Sequence, residues 1–249
     1  MRSMKPVAVS PSPTFSPLYR QIKGLLVQLL QSGEWRPGEM IPSEAELAQR
    51  FSVSQGTVRK AIDELAAENL LIRRQGKGTF VASHDDPRAF FRFLRLMPLS
   101  GGMPQAKSIP LECWRAKAGT EAAKMLALAI GDPIVIIRRL LQFDGKPIVV
   151  DEIYLPGTLF GALTLDMLRA YQGSLYSFFE SQFGVRVARA EERLRAVPAD
   201  RVSADLLQVG EGSPLLSVER LSFSYADTPV EWRRGLYNTQ HHCYYNELG

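Results

Sequence analysis

Five residues at the start of one short helical stretch have side chains suited to nucleic acid: Ser54, Gln55, Gly56, Thr57 and Arg59. A helix amino end offers free N–H groups and the positive end of the helix dipole, and both suit phosphate. Laid in a major groove, Arg59 can fork onto guanine O6 and N7, and Gln55 can pair with adenine or touch the backbone. Thr57 suits a phosphate or a thymine methyl, and Gly56 lets the helix come close. Further on, Gln75-Gly76-Lys77-Gly78 lacks bulk, so its backbone can enter the adjacent minor groove while Lys77 meets phosphate. Gly76-Lys77-Gly78-Thr79 is not a P-loop, which needs a longer glycine motif between a strand and a helix. Singly, each of these residues reads as an ordinary solvated side chain or a generic turn; the ordered set is what points to DNA.

Other chemistry-bearing groups carry less. His241-His242-Cys243 are adjacent, and neighbours on a strand point to opposite faces, so they do not converge on one ion. Asp151, Glu152 and Glu231 are the carboxylates a glycosidase reading would use, but no general-acid environment can be read around them.

The elements that must position the DNA-reading set are legible. From Ser16 to Ser32, Leu18, Ile22, Leu25, Leu26 and Leu29 recur at helical spacing, with Ser16 as the expected N-cap and Pro17 as the first helical residue. Ser43-Glu44-Ala45-Glu46 is a capping box opening a helix to about Phe51. Ser52-Val53-Ser54 is a tight turn, and Ser54 caps a third helix that buries Val58, Ile62 and Leu65 and runs to about Glu68. Leu71 to Arg74 and Thr79 to Ala82 flank a glycine turn as a hairpin. Three helices and a hairpin, two of the helices joined by a short turn, outline a winged helix-turn-helix. From Lys107 the texture changes. Strands are expected near 108–118, 133–143, 147–155, 185–197, 214–225 and 230–240, and helices over 120–128, 164–171, 174–183 and 200–208. Sequential hairpins with interspersed helices imply an antiparallel α+β domain.

The chain has 249 residues, 45% hydrophobic and 22% charged, which supports globular packing. No apolar run approaches the roughly 18 residues of a membrane span. The stretch 1–15 reads as a Pro/Ser tail rather than a secretory signal. Two cysteines, Cys113 and Cys243, form no framework and no metal spacing, so a reducing cytoplasm is the expected home. The net charge of +4 is unevenly placed: up to Ser83 there are 11 Lys and Arg against 7 Asp and Glu, and beyond it 19 against 19. A basic module joined to a neutral one fits a head that binds a polyanion. The expected division is a tail at 1–15, a winged helix-turn-helix at 16–82, a linker at 83–105 and a second domain at 106–249.

The stretch from Pro17 to Val81 resembles the DNA-binding domain of the GntR family. The matching residues are Pro17-Leu18-Tyr19, Pro37-Gly38, Pro42-Ser43-Glu44 with Leu47-Ala48, Thr57-Val58-Arg59 with Ala61-Ile62, and Arg74 through Val81. The DNA-contacting set this implies is Ser43, Ser54, Gln55, Gly56, Thr57, Arg59, Gly76 and Lys77. Gln55 stands where the family often carries Arg, and Ala45 stands where some members have a base-reading Arg.

From about Lys107 the chain resembles the UTRA effector domain of HutC-type regulators, whose fold is shared with chorismate lyase. Arg139 with Asp144-Gly145-Lys146-Pro147, Tyr154-Leu155-Pro156, Ser174-Leu175-Tyr176, Gly212 through Leu216, Glu219-Arg220 and Pro229-Val230-Glu231 carry it. The resemblance implies a small-molecule pocket of Arg139, Asp151, Ser174, Tyr176, Glu231 and Tyr237, with Arg139 on the anionic group. The implied effector is a phosphosugar, a carboxylate or another small anion, since Leu141 stands where many members have a second Arg. A three-residue turn at Asp144 to Lys146 sets Arg139 opposite Asp151, whereas a two-residue turn at Asp144-Gly145 sets Arg138 there.

Together these readings describe a cytoplasmic, homodimeric, effector-controlled regulator of transcription, with repression as the expected sign. It binds a double-stranded DNA operator, needs no cofactor, metal or membrane, and catalyses no reaction. Two rival readings differ from this one in what the protein would do. A chorismate-lyase-type enzyme would show pyruvate formation, and a nucleoid-type protein would bind DNA with no response to an effector.

Overall fold

In the computed structural model, residues 16–84, 93–102 and 105–246 are described. The expected tail at 1–15 and the Phe90-Phe91-Arg92 part of the expected linker lie outside them.

Helix α1 (Leu18–Gln31) turns Ile22, Leu26 and Leu30 inward. Its start corrects the sequence reading: Pro17, not Ser16, occupies the N-cap, and no side chain caps the helix. Pro17 has an extended backbone, and its carbonyl accepts from Arg20 N–H, so the rigid ring begins the turn without a hydroxyl. Helix α2 (Glu44–Phe51) starts in the expected capping box. Glu46 N–H donates to Ser43 Oγ (3.3 Å), and the Glu46 carboxylate accepts from Ser43 N–H (2.8 Å). Ser52 ends it in a left-handed conformation, φ +54°. Helix α3 (Gln55–Ala67) is capped by Ser54 and buries Val58, Ala61, Ile62 and Leu65. Strands β1 (Leu71–Arg74) and β2 (Gly78–Val81) pair from Leu71–Val81 to Arg74–Gly78. The tight reversal needs positive φ at Gly76 (+69°) and Gly78 (+107°), which glycine adopts without strain. These elements close on one apolar core containing Leu26, Leu47, Ile62 and Leu65.

Between Phe93 and Leu99 the expected linker holds strand β3 (Leu96–Pro98). The remainder is a six-stranded antiparallel sheet of β4 (Ala106–Lys117), β5 (Pro133–Phe143), β6 (Lys146–Pro156), β7 (Arg189–Pro198), β8 (Pro214–Phe223) and β9 (Pro229–Asn238), in the spatial order β4-β5-β6-β9-β8-β7. Strand β10 (His242–Tyr244) pairs with β3 as a separate ribbon. Helices α4 (Thr120–Leu126), α5 (Gly157–Phe160), α6 (Leu165–Ala170), α7 (Leu175–Phe183) and α8 (Arg201–Leu207) lie between strands in sequence.

Period-two alternation divides the residues between two faces. Val135, Ile137 and Ile153 join α7 residues in one core, while Ile134, Ile136 and Trp232 pack with α4 in another. The β5–β6 hairpin answers the register question in a way neither alternative foresaw. The turn is two residues, Asp144 (φ +49°) and Gly145 (φ +81°), with Phe143 opposite Lys146. A bulge between Leu141 and Gln142 then shifts the pairing by one, so Leu141 faces Val149 and Arg139 faces Asp151. The expected coupling of a two-residue turn to an Arg138–Asp151 pair is therefore wrong, because the bulge leaves Ile148 unpaired and buried.

Candidate functional sites

At the head, the amino end of α3 faces outward. Gln55, Gly56 and Arg59 are exposed and Thr57 is half-buried, its Oγ1 2.8 Å from Ser54 Oγ. Gly76 and Lys77 at the hairpin tip are exposed as well. Ser43 is exposed, but its hydroxyl sits 2.7 Å from the Glu46 carboxylate and serves the cap. Arg59 has a partner on the preceding helix: its Nε donates to Glu44 Oε2 at 2.8 Å, and the side chain stays 60% exposed. The other Glu44 oxygen accepts from Arg73 of β1 at 2.9 Å. Burial alone would raise the Glu44 carboxyl, but hydrogen bonds from Arg73 and Arg59 outweigh it and hold the group below its ordinary value. Glu44 therefore ties the recognition helix to the hairpin strand, a role the capping-box motif did not suggest.

In the second region, strands β4, β5, β6, β8 and β9 and the amino end of α7 line a half-open cavity of about 530 Å³. Of the six residues expected there, Arg139, Asp151, Ser174, Tyr176 and Tyr237 line it. Glu231 does not. It is fully buried behind the wall, where it accepts from Tyr176 OH at 3.1 Å and from Arg233 Nη2 at 3.0 Å. Arg139 donates twice to Asp151 Oδ2, through Nε (3.0 Å) and Nη2 (2.8 Å), and its Nη1 lies 3.4 Å from Ser108 Oγ. Ser174 caps α7 by accepting from Ser177 N–H at 3.0 Å, which leaves its own proton free to be donated.

Two further arginines stand in the wall, which the sequence reading did not assign to the pocket. Arg220 and Arg233 face each other on β8 and β9, both nearly fully buried. Like charges in direct opposition are unfavourable unless neutralised. Arg220 donates to Glu192 (2.6 Å), to Tyr176 OH (3.3 Å) and to the Phe93 carbonyl. Arg233 pairs with Glu231 and reaches Asp151 at 3.4 Å. The signal was available, since Arg233 shares a strand face with Glu231 and Tyr237, but the partner strand was not. His84 also lines the cavity, with its ring 5.5 Å from that of Tyr176.

Burial would raise Asp151, but Arg233 and Arg139 hold it charged and below its ordinary value. Burial and then the Asp151 charge push Tyr237 up to about 12, so its phenol is a hydrogen-bond donor at neutral pH. Asp151 Oδ1 has no hydrogen-bond partner among the described residues. Gly235 sits directly across from Asp151, where a Cβ would meet Asp151 Oδ1 at 2.8 Å and Tyr237 Cε1 at 2.5 Å. The glycine leaves the space those two groups occupy. Among the described residues no cluster of three or more His, Cys, Asp or Glu is placed to hold a metal. No helix there is long and apolar enough to cross a membrane.

A winged helix-turn-helix with an outward recognition helix, joined to a sheet domain that lines a charged cavity, defines a ligand-responsive DNA-binding regulator. Known proteins agree. Residues 18–81 match the family of bacterial regulatory proteins, gntR family, and residues 104–242 match the UTRA domain. A Shigella flexneri protein named "Probable fructoselysine utilization operon transcriptional repressor" is 30% identical over 86% of this chain and 87% of its own length. The histidine utilization repressor of Pseudomonas putida is 28% identical over 84% and 83%. Among solved structures, the ligand-binding domain of a GntR-family regulator from Bordetella bronchiseptica is 49% identical. It covers 64% of this chain and 98% of its own, with a TM-score of 0.62. PhnF from Mycobacterium smegmatis, 24% identical with a TM-score of 0.54, shares the fold over 92% of this chain and 99% of its own. The chain belongs to the GntR family of transcriptional regulators, in the HutC group with a UTRA effector domain. Its relatives are regulators and repressors rather than enzymes.

Proposed function

We propose that the cavity takes a small organic molecule with one anionic group set against Arg139 and with hydroxyl or amino groups turned toward Asp151, Tyr176 and Tyr237. The observation that carries this reading is the buried Arg139–Asp151 pair on the cavity wall, 2.8 Å apart and backed by Arg233. A buried guanidinium already dehydrated and oriented binds an incoming anion with little reorganisation. Asp151 and Glu231 offset much of the arginine charge, which favours a ligand that brings hydrogen-bond donors as well as its anionic group. A phosphosugar, a carboxylate or another small anion meets that description.

On the DNA side, Gln55, Thr57 and Arg59 read base edges, while Ser43, Ser54, Gly56, Gly76 and Lys77 set the helix and hairpin tip against the backbone. A homodimer places two such helices about 34–36 Å apart on a near-palindromic operator in the bacterial cytoplasm. Residues 16–82 form the head and 106–249 the effector domain, with 83–105 between them. Effector binding changes operator affinity by about 1–3 kcal/mol.

A thermal-shift screen of phosphosugars and small carboxylates tests the pocket. Ligands that stabilise the wild-type chain should lose their effect in Arg139→Ala, and an undiminished shift in that variant would overturn the assignment.

A further inference from the structure

The cavity and the recognition helix are joined by one short stretch of protein. Helix α7 brings Tyr176 to the cavity wall. Glu180 lies four residues on, so it shares that helical face one turn away. Its carboxylate Oε2 accepts from Ser83 Oγ (3.0 Å) and from His84 N–H (2.7 Å), immediately after the wing strand β2. His84 in turn bonds the Val187 carbonyl through Nε2 (2.9 Å) and packs against Tyr176. Arg186 follows α7 and is 3% exposed. Its guanidinium donates to the carbonyls of Asn69 (3.0 Å) and Leu70 (3.4 Å), the two residues that leave the recognition helix. A cation at that place also meets the negative end of the α3 dipole. The carboxylate of Glu180 is 4.0 Å from Arg186 Nε. The apolar share of the contact is small: Ala188 and Tyr225 reach the head's core.

We propose that Glu180 and Arg186 are positioning residues that fix the orientation of the DNA-binding head, and that a ligand acts on the head by displacing Tyr176 and, through one turn of α7, this pair. The inference rests on the effector reading of the cavity. Two buried charges whose partners lie across the joint give it few intermediate arrangements. A partial separation strands a buried charge, so the joint is either made or opened to water. Because Arg186 holds the carboxyl end of α3, the amino end with Gln55 and Arg59 stays open to DNA while its direction is set from behind.

The test uses the full-length chain, the variants Arg186→Gln, Arg186→Lys and Glu180→Gln, and a duplex selected by the wild-type protein from a random pool. In the ligand-free protein, amide exchange at residues 68–71 and 82–84 should quicken at least several-fold in Arg186→Gln and Glu180→Gln, with Ile62 and Leu65 unchanged. Exchange at the wild-type rate in both variants overturns the proposal. With glucose 6-phosphate and inorganic phosphate as probes, the thermal shift should persist in these variants. The probe's effect on DNA affinity, about 5–150-fold for a coupled wild-type protein, should collapse toward one. Arg186→Lys should restore part of it. A full response in Arg186→Gln overturns the coupling role even if exchange quickens. A probe shift that survives Arg139→Ala, or the absence of a shift in the wild-type chain with every phosphosugar and carboxylate of the screen, instead sinks the effector reading and leaves the exchange result to decide whether the joint exists.

Discussion

The two regions of this molecule use an arginine–carboxylate pair in opposite ways. In the head, Arg59 and Glu44 make an ion pair in which the arginine side chain is 60% exposed and the glutamate, which keeps Arg73 as a second partner, is 15% exposed. In the effector domain, Arg139 and Asp151 make a pair in which the side chains are 8% and 2% exposed. An exposed pair is worth little, about 0–1 kcal/mol, so the guanidinium can leave its carboxylate for a base edge or a phosphate at small cost. A buried pair cannot be traded that way, because removing one partner strands a charge away from water. On the function proposed above, the head keeps its reading group loosely held, and the effector domain keeps its binding group fixed and already stripped of solvent.

The sharpest way to break that contrast is Asp151→Ala. It leaves Arg139 and Arg233 without their shared carboxylate and should destabilise the chain by about 3–5 kcal/mol in urea unfolding. A loss below about 1 kcal/mol would mean that water reaches the pair and that the two regions do not differ as described. Gly235→Ala comes next. Its Cβ has no room beside Asp151 and Tyr237, and the repacking should cost about 1–3 kcal/mol of stability and weaken anion binding. Arg59→Ala should do the reverse, moving stability by less than about 0.5 kcal/mol while costing about 1–3 kcal/mol in operator binding. Unchanged affinity by fluorescence anisotropy would remove Arg59 from the reading set. The smallest effect belongs to pH. The Glu44 carboxyl is held below its ordinary 4.5 in the folded state, so its contribution is fully present above that value and fades as pH falls through the lower folded one. Tyr237, raised from 10 to about 12, has the opposite sign: its contribution is present below pH 10 and is lost between about 10 and 12. Replacing Glu44 with Gln should shrink the acid limb of the stability–pH curve, which Asp151 and Asp200 share, and replacing Tyr237 with Phe should shrink the alkaline limb, which Tyr154 shares, each leaving the other limb in place.

Much of the head could be read directly, because its signals are local. Ser43 and Glu46 close a box three residues apart, Ser54 caps the helix that follows it, and Gly76 and Gly78 bend a hairpin four residues wide. Ser16 misled, where Pro17 begins the helix with its ring and the hydroxyl plays no part, and the second strand of the hairpin is Gly78–Val81 rather than Thr79 to Ala82. The effector site was legible in part. Five of its six expected residues face the cavity, but they were named by resemblance, and Glu231 proved to support the wall from behind. Arg220 and Arg233 were not assigned to the pocket because their significance depends on β8 lying beside β9, a pairing between separate segments that no spacing announces. The ribbon of Leu96–Pro98 with His242–Tyr244 was missed for the same reason, its halves lying at opposite ends of the second region.

By itself, the order of amino acids determined the α+β class, the three helices and hairpin of the head, most strand positions and the faces their side chains take. Those features depend on caps, turns and periodicity within a few residues of one another. Only the tertiary structure decided that a bulge puts Arg139 rather than Arg138 opposite Asp151, and that Glu231 stands behind the wall. The same holds for Arg186, which reaches across to the carboxyl end of the recognition helix. Each of these turns on which distant segments share a hydrogen-bonded register or a packed face. Burial of many side chains at once selects that arrangement, and no local stretch of sequence encodes it.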